Sequence, residues 1–368
     1  MRTKVLYITC ANKNNLSGGS ICAERNLNSI REIVGNDKVS TYIMKPYSGR
    51  RNFKSKLSKI FDIFKLYGGG LTSYYKNEIT NIIEKTEYTH IFIDSSAIGV
   101  LAKIIRRKKA GVIIYTFFHN VEYDYMISTT LKSRDFKHLY WIASARYNET
   151  CACKYSTHVI SLNEKDKNRI VSLYGAKHIS TIPITLKDKC NINLETANRK
   201  IKRTLKGLFV GSYFPGNTKG LKWFCKEVLP FVDMHLTIVG SGMEKIMKDI
   251  SANNKLTIIG KVETLTPYYL DADVIILPII SGGGMKVKTA EALMWGKNII
   301  GTPEALEGYN LNEDIAITCK NANDFIATIK EFSQKECMTY NIKARNLFKE
   351  KFSYESSLKS YKKLLNNE

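Results

Sequence analysis

The sequence predicts an α/β protein built from two Rossmann-like domains, each an open parallel sheet with helices on both faces. Three observations predict it. Short β-branched apolar runs alternate with longer amphipathic stretches along most of the chain. The alternation falls into two blocks, and the stretch between them, 185–205, is polar and has no hydrophobic period. At 368 residues and 44% hydrophobic content, the chain exceeds one ordinary core and suits two α/β domains.

In the first block the apolar runs predict strands at 4–9, 38–44, 90–94, 112–117 and 157–161, with helices over 20–34, 74–86, 96–109 and 134–154. In the second block strands are expected at 207–211, 235–239, 256–259, 273–277, 298–301 and 315–318. Helices near 218–231, 243–250, 285–296 and 322–333 alternate with them. These strands are continuous apolar runs, which marks them as buried on both faces, the pattern of parallel sheet. A final amphipathic helix over 340–366 carries Phe348, Phe352, Tyr361, Leu364 and Leu365 on one stripe. The expected division is a domain at 1–190, a linker at 191–205, a domain at 206–345 and a closing segment at 346–368. Open parallel sheets bind ligands at the carboxyl ends of their strands, where strand order reverses. Two such domains facing across a cleft suit a reaction between two substrates.

The net charge is +22, which favours an anionic partner: nucleic acid, an acidic membrane surface or a phosphorylated substrate. A solvated lysine-rich surface gives the same balance, so charge alone selects none of them. The eight cysteines include no CxxC pair, and the CxC of Cys151 and Cys153 lacks a second pair to complete a metal site. Scattered cysteines in a chain this long read as reduced thiols, hence a cytoplasmic protein. The apolar run near the N-terminus is too short for a signal-peptide core. No stretch approaches the roughly 20 apolar residues of a membrane span.

The most informative segment is 273–308. An apolar strand ends at Pro278, Ser281-Gly282-Gly283-Gly284 follows, and a helix is expected to start near Met285, carrying Lys286, Lys288 and Glu291. Glycines let backbone N–H groups approach a ligand, and the helix N-terminus adds a positive dipole end. Lysines in a first helical turn oppose that dipole unless an anion lies nearby, and a diphosphate supplies one. Glu291 follows Lys288 by three residues on the same face, where a carboxylate can accept hydrogen bonds from a ribose. The glycines alone are explained by an ordinary strand-to-helix turn; the whole constellation fits a nucleoside diphosphate.

This segment resembles the donor-binding region of the GT-B glycosyltransferases, in particular the retaining group called family four in its glycine-rich-loop form. The likeness extends to 208–231, to Val239-Gly240-Ser241-Gly242, to Ile259-Gly260-Lys261-Val262, and to Phe352-Ser353-Tyr354-Glu355, which resembles the closing helix that crosses back to the N-terminal domain. The resemblance implies that Glu291 binds ribose and that Gly283, Gly284 and Met285 form the loop under the diphosphate. It further implies that Lys286 and Lys288 face phosphate, with Lys288 catalytic, and that Val262 lies in the loop cradling the nucleobase. Two positions depart from the pattern. Gly283 stands where many relatives have a second glutamate, and Ser212 where many have arginine. The basic pair at the leaving diphosphate is then rebuilt from Lys219, Lys286 and Lys288.

On the acceptor side, the strand 112–117 runs into His119-Asn120-Val121-Glu122. A polar cluster at the end of a buried parallel strand sits where ligands bind, and a satisfied strand-end histidine is the plainer reading. The resemblance places His119 against the donor sugar or acceptor, as a second catalytic residue. Ser17-Gly18-Gly19-Ser20 follows the first strand, and Gly19 is a donor-side candidate. The segment 50–67 places Phe53, Leu57, Ile60, Phe61 and Phe64 on one helical face among basic residues, which suits an anionic membrane surface or, equally, a core-facing helix.

The expected activity is transfer of a sugar from a nucleoside-diphosphate sugar to a glycan or lipid-linked acceptor in surface polysaccharide synthesis. The resemblance implies retention of configuration, no cofactor and no metal. Asp271-Ala272-Asp273 superficially matches a metal motif, but the pattern reads as structural. A nonhydrolysing sugar-nucleotide epimerase of the same fold is the alternative enzyme. A basic nucleic-acid-binding protein explains the charge but lacks a binding motif. A nicotinamide oxidoreductase needs GxGxxG after its first strand, which residues 10–35 do not supply. The expected location is cytoplasmic, with peripheral attachment to the inner face of the membrane through 50–67.

Overall fold

The structure, a computed structural model, describes residues 3–10, 18–44, 62, 64–133, 137–190, 198–199, 204–250, 254–334 and 338–366. It divides into two units, Met1–Pro183 with Leu358–Glu368, and Ile184–Ser357.

The first unit contains a six-stranded parallel sheet: β1 (Val5–Thr9), β2 (Val39–Ile43), β3 (His90–Ile93), β4 (Ile113–Phe118), β5 (His158–Ser161) and β6 (Ile179–Thr181) in the order β2-β1-β3-β4-β5-β6. Strand order reverses between β1 and β3, where Leu6 pairs with Ile91 and Ile8 with Ile93. The helices are α1 (Gly18–Val34), α2 (Ser73–Lys85), α3 (Val100–Lys108), α4 (Glu122–Ser133), α5 (Lys137–Tyr155) and α6 (Glu164–Tyr174). Thr72 caps α2 by accepting from the Tyr75 N–H, and Asn163 caps α6 through the Asp166 N–H. On one face of the sheet Leu6, Ile8, Ile91 and Ile93 join Ile79 and Ile83 of α2 and Leu101 and Ile105 of α3 in one core cluster. The opposite face carries an aromatic row, with Tyr7 stacked on Phe92 at 5.1 Å and Phe92 against Tyr115 and Tyr361.

The second unit holds β7 (Leu205–Val210), β8 (Met234–Val239), β9 (Leu256–Ile259), β10 (Val274–Leu277), β11 (Asn298–Gly301) and β12 (Ala316–Thr318). Their order is β12-β11-β10-β7-β8-β9, all parallel, reversing between β7 and β10. The helices are α7 (Pro215–Glu227), α8 (Thr266–Asp271), α9 (Val287–Met294), α10 (Ala322–Gln334) and α11 (Ile342–Leu347), the last followed by a π turn at Phe348–Phe352. Helix α12 (Tyr354–Asn366) closes the chain, and from Leu358 it belongs to the first unit. Its Tyr361 is fully buried and donates to Asn26 Oδ1 at 2.7 Å.

The structure adjusts several expectations. The expected helix 134–154 is α5, Lys137–Tyr155, and the structure adds before it a helix the sequence pattern did not show, α4 over Glu122–Ser133. The stretch 243–250 is a 3-10 turn over Met243–Lys248. The chain leaves the first unit at Pro183, earlier than the expected 190, because 184–190 is tied to the C-terminal part of the second unit. Leu186 bridges Ser353, and Asp188 pairs with buried Arg345. The expected membrane helix 50–67 lies mostly outside the described residues; of its expected apolar face, Phe64 is exposed. Among the described residues no helix is long and apolar enough to cross a membrane.

Candidate active site

In the second unit, three strand-end loops meet where strand order reverses, and they meet through bare backbone. A Cβ on Gly240, which follows β8 at φ +153°, would lie 2.0 Å from the carbonyl oxygen of Gly211, the residue after β7. A Cβ on Gly220 of α7 would lie 1.6 Å from the carbonyl oxygen of Pro278, the residue after β10. A Cβ on Gly216, in the first turn of α7, would lie 3.3 Å from the Ser281 carbonyl. The glycine loop therefore lies beside the start of α7. No side chain caps the first turn of either α7 or α9, which leaves helix N–H groups to be satisfied by something else. Gly282 and Gly284 take φ of +144° and +66°, backbone that L side chains rarely adopt.

Lys288 enters this cradle from the first turn of α9. Its Cε lies 2.6 Å from where a Cβ on Gly211 would be, and its ammonium stands 5.7 Å from the Phe209 ring centre. The ring is the contact the ammonium makes; no acceptor oxygen reaches it within the described residues. A cation over an aromatic face gains about 0.5–2 kcal/mol, which does not replace the hydrogen bonds an ammonium gives up on burial. Desolvation accordingly lowers the Lys288 pKa, with Lys286 adding to the effect and Glu291 opposing it. Glu291 lies one turn further along α9. Burial raises its pKa, against the pull of Lys288 and Lys189. Its carboxylate likewise makes no hydrogen bond or ion pair within the described residues.

Lys286 departs from its expected place. The helix starts at Val287, not Met285, and Lys286 is its N-cap residue. Its ammonium donates to Gly284 O at 2.6 Å and pairs with Glu304 at 2.7 Å, with Glu307 at 3.9 Å. Tyr309 donates to the Lys286 carbonyl at 2.6 Å. Lys286 thus clamps the glycine loop to the 304–309 turn, and of the two expected ammonium groups only Lys288 stands open. Lys219 is exposed on α7, and Ser212 is exposed with its carbonyl accepting from Asn217 at 2.8 Å. Gly283 is exposed, Met285 is buried beneath the loop, and Val262 is half-buried after β9. Asp273 stands at the opposite, N-terminal end of β10, where it accepts from the Lys206 N–H at 2.8 Å and pairs with Arg199 at 2.6 Å. Asp271 pairs with Lys206.

In the first unit, His119 follows β4 next to the reversal of strand order. Its Nε2 donates to the Asp94 carbonyl at 2.8 Å and lies 3.7 Å from the Asp94 carboxylate. Its Nδ1 is buried without a hydrogen-bond partner among the described residues. Burial works against the charged ring. The hydrogen bond to Asp94, the nearby Cys22 thiol and the Asp94 charge outweigh it and hold the His119 pKa well above the ordinary histidine value. Asp94 is the residue that the sequence pattern missed. It is fully buried after β3 and accepts from Thr9 at 3.0 Å and Asn26 at 2.9 Å. Asn26 in turn accepts from Tyr361, so the C-terminal helix is linked to His119 through two side chains. The one available signal was an acid closing an otherwise apolar strand run.

The remaining polar side chains near His119 complete the start of α4. Glu149 of α5 accepts from the N–H groups of Glu122 at 2.7 Å and Tyr123 at 3.2 Å and from the Tyr174 hydroxyl at 2.6 Å. Burial pushes its carboxyl up to about 7. Asn120 donates to Glu122 at 3.1 Å. Gly19, the first-unit donor candidate, is exposed in the first turn of α1; Ser17 lies outside the described residues.

Comparison with known proteins adds to this geometry. Residues 205–335 match the family described as Glycosyl transferases group 1. A curated relative, an uncharacterized 44.6 kDa protein in the cps region of Klebsiella pneumoniae, is 25% identical over 264 residues, 65% of this chain and 61% of the relative. The chain thus spans about three-fifths of the length of that relative. Among solved structures, sucrose-phosphate synthase from Thermosynechococcus elongatus is similar with a TM-score of 0.68 at 12% identity, over 100% of this chain and 99% of that one. HepE of Anabaena in complex with UDP-glucose is similar with a TM-score of 0.65 at 11% identity, over 99% and 100%. A TarM mutant of S. aureus in complex with fondaparinux, alpha-GlcNAc-glycerol and UDP gives 0.58 at 17% identity, over 78% and 58%. At these identities the solved structures bear on the fold. Residues 205–335 are thus similar to a group 1 glycosyltransferase domain, and the two-unit α/β fold is of the GT-B type.

Proposed function

We propose that the chain transfers a sugar from a nucleoside-diphosphate sugar to a glycan or lipid-linked acceptor, with retention of configuration and without a metal. The observation that carries this reading is the Lys288 ammonium, which has no acceptor within the described residues and stands where three bare-backbone loops and two uncapped helix starts converge. A diphosphate supplies the missing acceptors: its oxygens take the ammonium and the helix N–H groups, and the ribose hydroxyls donate to Glu291. Charge develops on the diphosphate as the glycosidic bond to the sugar breaks, so preorganised donors there lower the barrier. Retention follows if the leaving phosphate takes the acceptor proton on the same face, which requires no protein base. His119 is the group proposed to contact the sugar or the acceptor.

The UDP-glucose bound to HepE and the UDP bound to TarM are in keeping with a uridine nucleotide. The cps-region relative suits a role in surface polysaccharide assembly. A net charge of +22 suits work beside an anionic membrane surface on the cytoplasmic side.

The test is a thermal-shift panel of nucleoside diphosphates and their sugars. A ligand specific to the folded state raises the melting temperature by mass action, and Lys288→Ala and Glu291→Ala are each expected to abolish the shift. A full shift in both variants overturns the site. Epimer formation without any acceptor would move the assignment to an epimerase.

A further inference from the structure

The glycine loop carries an electrostatic contradiction. A surface that receives a diphosphate is expected to exclude carboxylates, because like charges a few ångströms apart repel. Two carboxylates nevertheless border this loop, Glu304 and Glu307, on the turn that follows β11. The position a Cβ would take on Gly282 is 3.7 Å from Glu304 Oε1. This is no accident of a mobile side chain, because the turn is held at several points. The Thr302 N–H donates to Leu277 O at 3.1 Å, the Thr302 hydroxyl donates to Ile279 O, and Thr289 of α9 donates to Ala305 O at 2.7 Å.

Lys286 resolves the repulsion. It is only 12% exposed, and it meets Glu304 Oε1 at 2.7 Å while Glu304 itself remains 29% exposed. One carboxylate oxygen is thereby neutralised and fixed in direction. The other, Oε2, makes no hydrogen bond within the described residues, on a carboxylate whose Oε1 already stands beside exposed Gly282. A strictly structural ion pair has no need to keep a fixed, half-open acceptor beside a loop stripped of side chains. Uncharged hydroxyl donors are what such an oxygen recognises, and hydrogen bonds to a charged acceptor are the stronger kind.

The neighbours of that oxygen narrow the choice of hydroxyl. The ribose end of the ligand belongs to Glu291, one turn down α9 from Lys288, and the diphosphate to the helix start and Lys288. Gly282 and Glu304 lie before the helix, at the opposite end of this run from Glu291. We propose that Glu304 is a specificity-determining residue whose open carboxylate oxygen accepts a hydrogen bond from a hydroxyl of the transferred sugar, with Lys286 as the group that fixes it. The inference rests on the nucleotide-sugar reading above and deepens it: the donor's sugar is polyhydroxylated at the position facing Glu304, and an analogue deoxygenated there binds less well.

The experiment compares wild type, Glu304→Gln and Glu304→Asp by isothermal titration calorimetry, using UDP, GDP, UDP-glucose and GDP-mannose as probes. Glutamine keeps one acceptor oxygen for Lys286 and loses the second; aspartate keeps the charge but draws it back from the loop. The nucleoside diphosphate that wild type binds is expected to bind both variants within about twofold, which also shows that they fold. The matching sugar nucleotide is expected to bind roughly tenfold more weakly to both variants, the scale of one hydrogen bond to a charged group. A merely structural clamp predicts equal losses for the diphosphate and its sugar conjugate, and that result overturns the inference alone. Failure of wild type to bind any of the four probes overturns the nucleotide-sugar reading and this inference with it.

Discussion

Lys288 and Gly211 share one volume: the Cε of the lysine lies 2.6 Å from the point a Cβ on the glycine would occupy. Glycine at 211 is thus what allows the lysine to lie over Phe209 with its ammonium at the loop junction. Gly211→Ala is expected to displace the flexible lysine at modest cost to stability while weakening nucleoside diphosphate binding by about tenfold or more, the loss of one charge-assisted hydrogen bond. Calorimetric titration alongside thermal unfolding checks it. Unchanged affinity would show that the position of Lys288 over Phe209 is immaterial to binding.

Gly220→Ala tests the frame. The added methyl would sit 1.6 Å from the Pro278 carbonyl oxygen, in backbone that cannot yield as a side chain can. Destabilisation of about 3 kcal/mol is expected, the upper range for overpacking a fitted contact. Chemical denaturation measures it, and a change below about 1 kcal/mol would mean that α7 and the end of β10 are free to separate.

Asp94→Asn tests the pairing with His119. The groups that act on the ring are Asp94 and Cys22, and His119 in turn acts on Cys10 and Glu122. Because the folded His119 pKa lies above its unfolded value, the stability this contact contributes is complete below about pH 6.5 and is lost as pH rises through the folded value. Removing the carboxylate is expected to lower the His119 pKa, followed through its imidazole proton resonances. Titration of His119 at the same pH in the variant would contradict the pairing.

Glu149 makes a prediction of opposite chemistry. Its folded pKa of about 7 lies above the ordinary 4.5, so folding favours the proton. Stability is then complete below about pH 4.5 and falls as pH rises through about 7, by roughly 3 kcal/mol at most. Glu149→Gln cannot ionise and is expected to flatten that fall, as denaturant midpoints between pH 5 and 8 would show. An unchanged slope would assign the pH dependence elsewhere.

Much of the architecture was legible because a parallel sheet buries both faces of each strand. Runs such as 91–93 and 274–277 are apolar throughout and cannot be mistaken for half-exposed strands. Helix α4 was not legible. Residues 122–133 start with Glu122 and Asp124, whose helical role depends on a cap from Glu149 on the next helix, and no local pattern announces that partner. In the site, Lys288 and Glu291 could be read together because helical spacing joins them. Lys286 could not be read correctly: its partner Glu304 lies eighteen residues on, at the end of another strand, so local sequence showed a lysine at a helix start but not the carboxylate that occupies it. Asp94 and Asn26 meet only because β1 and β3 are neighbours, which a single sequence does not reveal.

The most direct measurement is the melting temperature of the protein with each nucleoside diphosphate, for wild type and Lys288→Ala side by side. At a ligand concentration of about 100 times Kd, the bound state gains about 2.7 kcal/mol, a clear upward shift. The account predicts that shift for wild type with at least one nucleoside diphosphate and its loss in Lys288→Ala, with the unliganded variant folded. A variant that responds to the nucleotide as fully as wild type would contradict it.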